Sequence, residues 1–295
     1  MSTPNRAALL NKTHKVLKRS YKYNSVRCEQ PLLESLLFAC CLENARHDVA
    51  QETFAKLRSA FFDWNEIRVS TVKELAEVMH TLPDASAAAA RLKGILQSVF
   101  ESDYSFDLEH LKKQNIGQAV KRLQKLQGAS AFGVAYATQS ALAGHSIPVD
   151  KGALGALYVL GVINEADVRE GIVPGMERAI PKSKGQEFGA LLHELGADFF
   201  SNPFSPTLRE LLLSIAPDCK ERLPKRTHKK PPVVVTEKAA VADKKRKEAV
   251  ATKKQPEKAP DKRPERAPKP AAHAKKKPAG AKKTPLKSLA KRKPR

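Results

Sequence analysis

The chain is poor in aromatic residues, with one Trp, 5 Tyr and 11 Phe in 295 positions, and it holds only four cysteines. No run approaches the ~20 consecutive apolar residues that a membrane-spanning helix requires, so no membrane association through such a helix is expected. The N-terminus has Arg6 but no sustained apolar region before its next lysines, which argues against a secretory leader. Cys28, Cys40, Cys41 and Cys219 make no C-x-x-C pair, and two of them adjoin inside an apolar helical pattern. They read as reduced, intracellular thiols.

Acidic residues are also scarce, and unevenly so. Of 53 Lys and Arg against 31 Asp and Glu, 26 basic and 6 acidic residues fall between Lys225 and Arg295, a net +20. Residues 1–30 carry 7 basic and one acidic residue, which leaves 20 against 24, or −4, from Pro31 to Pro224. The 71 C-terminal residues have no Phe, Tyr or Trp and 10 of the 20 prolines. Such a segment cannot bury enough apolar surface to offset its ordering entropy, and it is expected to be a disordered polycation. Its natural partner is the phosphate backbone of double-stranded DNA, bound by counterion release and without regard to sequence. The domains expected are therefore a basic N-terminal arm (1–30), a globular domain (31–224) and a polycationic tail (225–295).

Within the arm, Leu9, Leu10, Val16 and Leu17 share a helical stripe amid lysines, a basic amphipathic pattern. In the middle, Leu32, Leu33, Leu36, Leu37, Cys40 and Cys41 repeat with helical rather than strand spacing. Comparable patterns recur over about ten segments, and no Asn-Gly or Asp-Gly hairpin lies between alternating apolar runs. The spacing predicts an all-α domain. Ser205 before Pro206 and Ser70-Thr71 before Val72 read as helix starts. Trp64 and His193 read as core packing residues.

Between Ile116 and Ala156 one stretch carries the features of a site. Leu123 and Leu126 end a helix, Gln127-Gly128-Ala129-Ser130-Ala131 turns the chain, and a small-residue helix with Gly133, Ala135 and Ala137 begins at once. The first amides of that second helix, with the helix dipole, suit a phosphate oxygen. Some twenty residues on come Ile147-Pro148-Val149-Asp150.

This arrangement resembles the helix-hairpin-helix, Gly/Pro loop and aspartate of the endonuclease III-like (HhH-GPD) DNA glycosylase superfamily. The likeness runs from LLESLLFACCLENA at Leu32 to FGALLHELGADFF ending at Phe200. It implies a two-lobed helical fold and base-excision-repair chemistry. It also implies that the hairpin residues Gln127 to Phe132, with Lys151, lie at the DNA, and that Asp150 stabilises the cationic sugar or orients water as a base leaves. Asp150 reads equally as the N-cap of the following helix.

Several residues depart from the superfamily pattern. Where bifunctional members carry a Schiff-base lysine, this chain has Phe132, so strand-cleaving lyase chemistry is not expected. Lys151 is the only amine nearby, and it leaves the backbone in a different direction. Ser130 replaces the second hairpin glycine, and Gly152 and Gly155 stand where polar residues are frequent. Cys219 alone occupies the region of the cluster cysteines, so no iron–sulfur cofactor is expected. The expectation is a monomeric, intracellular DNA-binding protein of base-excision-repair type. It is either a monofunctional N-glycosylase using Asp150 or an inactive relative acting as a lesion sensor or histone-like nucleoid component.

Overall fold

Each segment with apolar residues every three to four positions has a stripe to bury, and the chain answers with two cores rather than one. The computed structural model describes residues 6–23 and 30–225, all within one structural unit. Cys28 and the tail lie outside the described residues, and with them the expectations made for that thiol and for residues 226–295.

The first lobe packs α2 (Leu32–Leu42), α3 (His47–Ala60), α4 (Trp64–Val69), α5 (Val72–Val78), α6 (Ala85–Asp103), α7 (Ile116–Gln124) and α8 (Ala131–Ser140). Its core runs from Leu32 to Ala137 and is built round α2, ten of whose eleven residues are buried. The second lobe comprises α9 (Lys151–Leu160), α10 (Glu165–Glu170), α11 (Met176–Ala179), α12 (Lys182–Ser201) and α13 (Pro206–Ile215). The N-terminal helix α1 (Arg6–Ser20) joins them. No strand occurs among the described residues, and the fold is all-α as expected.

Residues 6–20, expected as part of a separate basic arm, are thus built into a lobe. Leu9, Leu10 and Leu17 are buried in the second core with Phe188, Leu192 and Leu212. His14 on the same face lies 3.3 Å from Glu187 and meets the Phe188 ring edge-on. The lysines and the leucines occupy opposite sides of one helix, which the net charge of the segment concealed.

Most helix starts follow cap chemistry. Asp63, Asp84, Asn115, Ser130 and Asp150 each accept a backbone N–H of the helix they precede. Thr71 and Glu74 form a reciprocal capping box, as do Asn164 and Asp167. Pro206 sits at the first position of α13, but Ser205 makes no side-chain bond to that helix's amides; its Oγ lies 2.9 Å from Thr207 Oγ1. Two helices that the apolar spacing did not reveal, α4 and α11, have six and four residues. One of the segments with helical spacing, residues 108–114, forms a 3-10 turn over Glu109–Lys113. Trp64 packs as expected, its ring stacked 6.1 Å from Phe54 with the Arg58 guanidinium 5.7 Å above it.

Close approaches at glycine fix both the hairpin and the helix crossing of the second lobe. The hairpin between α7 and α8 rests on α6, where a Cβ on Gly94 would lie 2.8 Å from the Gln127 carbonyl oxygen. Gly128 itself has φ +92° and stands against the Arg91 backbone, so a side chain there would be both strained and obstructed. In the second lobe α9 and α12 cross with Gly152 directly against Gly196, and Gly155 opposite the Phe199 ring.

Candidate nucleic-acid interface and the Asp150 centre

The hairpin expected to face DNA is formed as the sequence indicated. Gln127 and Ala131 are exposed, and Gly128, Ala129 and Ser130 are half-buried. The Gln127 amide donates to Ser98 Oγ at 2.9 Å, tying the turn to α6. Ser130, standing where the pattern has glycine, caps α8 by accepting the Gly133 amide at 3.0 Å. Its hydroxyl then donates to Glu43 Oε2 at 2.8 Å, and the same carboxylate oxygen lies 3.6 Å from Arg91 Nε. A protein carboxylate thus already sits beside this helix terminus. Glu43 and Ser130 are 87 positions apart, and no local pattern announced their pairing.

Phe132 does not reach the hairpin surface. It is 3% exposed, stacked on Tyr136 with ring centres 6.3 Å apart, and its face lies 5.6 Å from the His193 ring. Tyr136 in turn meets Phe38. The position occupied by an amine in bifunctional members is filled by an aromatic cluster. Lys151 is exposed, and its backbone N–H donates to Asn44 Oδ1 at 3.1 Å.

Asp150 caps α9, its Oδ1 accepting the Ala153 amide at 2.8 Å. Its Oδ2 stands 3.0 Å from His193 Nδ1, and the carboxylate side chain has no solvent exposure. The other imidazole nitrogen, Nε2, lies 2.8 Å from the Ala45 carbonyl oxygen. Both ring nitrogens therefore face acceptor oxygens, an arrangement that favours the doubly protonated ring. Burial alone would lower the His193 pKa, but the Asp150 carboxylate beside it outweighs that effect and holds the ring above its ordinary value of 6.5. The Nδ1 to Oδ2 contact is an ion pair without the alignment of a good hydrogen bond.

His193, read from the sequence as a packing residue, is also a joint between lobes. With it the turn after α2 and the start of α3 meet α12 at two further points, and within the second lobe Tyr21, just past α1, holds the same Asp198. The Arg46 guanidinium lies 3.1 Å from Asp198 Oδ1, the His47 amide donates to Glu194 Oε1 at 3.4 Å, and Tyr21 donates to Asp198 Oδ2 at 2.8 Å. Asn44 takes φ +64° to make this turn, a conformation asparagine tolerates better than most residues.

For metals and cofactors the donors are few. Among the described residues no three His, Cys, Asp or Glu side chains gather closely enough to hold an ion. Cys219 is fully buried in the second core, and Cys40 and Cys41 are in the first. Burial pushes the Cys40 thiol up to about 12, so it is a poor source of thiolate. A cluster needing four thiolates does not fit this donor set. No helix among the described residues is long and apolar enough to cross a membrane.

Neither the family models nor the curated proteins contain a match to the sequence. Solved structures do match the fold. A trapped endonuclease III–DNA covalent intermediate aligns with TM-score 0.52 at 14% identity, covering 76% of this chain and all of the other. A non-covalent endonuclease III–DNA complex aligns with TM-score 0.50 at 15% identity over 75% of this chain and 99% of that one. A thermostable thymine-DNA glycosylase gives TM-score 0.47 at 14% identity, over 68% and 88%. The chain has an endonuclease III-like fold, in agreement with the resemblance read from its sequence.

Proposed function

We propose that this protein binds duplex DNA in a base-excision-repair context and recognises it without releasing a base. It acts as an intracellular monomer with no iron–sulfur cluster. Support for DNA as the partner comes from the fold, from the hairpin with its glycine turn, and from the basic C-terminal segment. The observation that carries the absence of chemistry is the state of Asp150. A carboxylate that stabilises a sugar cation must reach the substrate with its charge unspent. Here it is shielded from solvent and paired with His193, whose cationic form it favours.

The aromatic cluster points the same way. An amine at position 132 would lie beside that imidazolium and be repelled by it, so Phe132 and a charged His193 are mutually compatible where a lysine would not be. Schiff-base chemistry is absent from this reading.

A second reading, monofunctional hydrolysis by Asp150, draws on the place of the carboxylate at the α9 N-terminus beside the junction of the lobes. It requires the Asp150–His193 pair to separate when a flipped base enters. One experiment decides between them: purified protein is mixed with duplexes carrying uracil, alkylated, oxidised or abasic positions, and both binding and base release are followed. Binding without release is expected. Release that disappears in Asp150→Asn would establish the hydrolytic reading instead.

A further inference from the structure

At the end of the second lobe, where α12 gives way to α13 and the chain runs on to Lys225, the surface folds into a groove of about 390 Å3. Arg209, Lys220 and Lys225 line it, with Pro203, Phe204 and Pro224 as apolar walls, and no acidic side chain contributes. Elsewhere in the domain Arg6, Arg46, Arg58, Arg122 and Arg222 each lie against a carboxylate. The three groove cations have no side-chain partner among the described residues.

Arg209 and Lys220 belong to the region whose net charge is −4, and Lys225 opens the basic segment that follows it. Their convergence is sharpened by α13, whose first turn has no acidic residue and whose amides receive no side-chain cap. Arg209 therefore adds a cation close to the positive end of a helix dipole, an arrangement that an anion relieves. The walls narrow the choice of anion. A bare phosphate needs only cations, whereas the Phe204 ring, 40% exposed, and two prolines present flat apolar surface to something attached to it. The volume is within the usual range for a small-molecule site.

We infer that this groove is a nucleotide subsite, taking a phosphoryl group between Arg209, Lys220 and Lys225 and resting the sugar or base on Phe204 and its flanking prolines. The same chemistry is offered by a free nucleotide and by a nucleotide within a DNA strand. The inference extends the DNA-binding reading without requiring it, since it uses neither the hairpin nor Asp150.

The test follows the Arg209 Nε–H and the Phe204 and Thr207 amides by NMR in the full-length protein, with three probes: the dinucleotide pTpT, inorganic phosphate and a short unmodified duplex. The dinucleotide should shift these signals saturably and bind about tenfold more tightly than inorganic phosphate, a margin that ring stacking supplies. Arg209→Ala with Lys220→Ala should abolish the shifts without changing the melting temperature, because both side chains are exposed. Phe204→Ala should bring the dinucleotide down to the affinity of phosphate. If the duplex moves the same signals, and the double variant lowers its salt slope by about 2, a strand is the source. An unchanged duplex slope with intact dinucleotide shifts assigns the groove to free nucleotides. Signals that neither nucleotide probe moves, or phosphate binding as tightly as pTpT, overturn the inference. Loss of all duplex binding with the dinucleotide shifts intact would instead remove the DNA-binding reading and leave the groove standing.

Discussion

His193 has an acceptor at each ring nitrogen, and the consequences of that placement are measurable at single residues. Breaking a buried pair by removing one partner typically costs about 3–5 kcal/mol, because the other charge is left uncompensated. Asp150→Ala and His193→Ala are each expected to fall in that range by chemical denaturation, with the double variant costing clearly less than the two together. The pH dependence has a definite sign. The His193 pKa is raised on folding, so its contribution is complete below 6.5 and is lost as pH rises through the folded-state value. His14 and His47 are lowered, mainly by burial, and their contribution is lost in the opposite direction, as pH falls below 6.5. The stability difference between wild type and His193→Gln should therefore be greatest near pH 6 and shrink toward pH 8.5, which thermal melts across that interval would check. Phe132→Lys should yield no borohydride-trapped adduct with abasic DNA and should lower stability, since it places an ammonium group next to the imidazolium. Of the Asp150–His193 pair, Asp150 was legible from the sequence as a site residue, and His193 only as a packing residue. Their contact was not, because side-chain pairs between α9 and α12 leave no trace in local spacing.

At the scale of elements, the crossing of α9 and α12 depends on the absence of side chains at Gly152 and Gly196. A Cβ at 196 would stand 2.6 Å from the Ala153 amide nitrogen and 2.7 Å from Asp150 Oδ1, so Gly196→Ala must move backbone rather than a flexible side chain. Overpacking of this kind is expected to cost about 1–3 kcal/mol, and it should also displace Asp150 from His193, visible as a shift of the imidazole NMR resonances. In the sequence, Gly152 and Gly155 were departures from a functional pattern; in the fold they are packing sites, one against Gly196 and one against Phe199. The longer helices were legible because three or more turns repeat the apolar spacing. Of the short helices, α4 and α11 were missed, although α10, with as many residues as α4, was among the segments read. The hairpin was read correctly for a physical reason, as Gly128 at φ +92° is a position that sequence punctuation marks directly.

For the whole molecule, most of the net charge lies outside the described residues. The region from Pro31 to Pro224 is slightly acidic while residues from Lys225 onward carry +20, so in the proposed reading general affinity for phosphate and recognition by the hairpin would be separable. Truncation after Lys225 is expected to flatten the slope of log affinity for duplex DNA against log salt while leaving the melting temperature unchanged. A truncated protein that retained its full slope would place the phosphate contacts elsewhere. Net charge misled at the N-terminus for a related reason: summing residues 1–30 averaged over two faces of α1, one of which buries Leu9, Leu10 and Leu17 beneath α12 and α13. That closure sets an order of events during synthesis. The first lobe is a continuous stretch and can collapse as it leaves the ribosome, whereas α1, made first, must wait for partners encoded more than 160 residues later. Until Phe188 and Leu212 emerge, its three leucines have no native surface to cover them, so a helix translated ahead of both lobes is among the last to find its place.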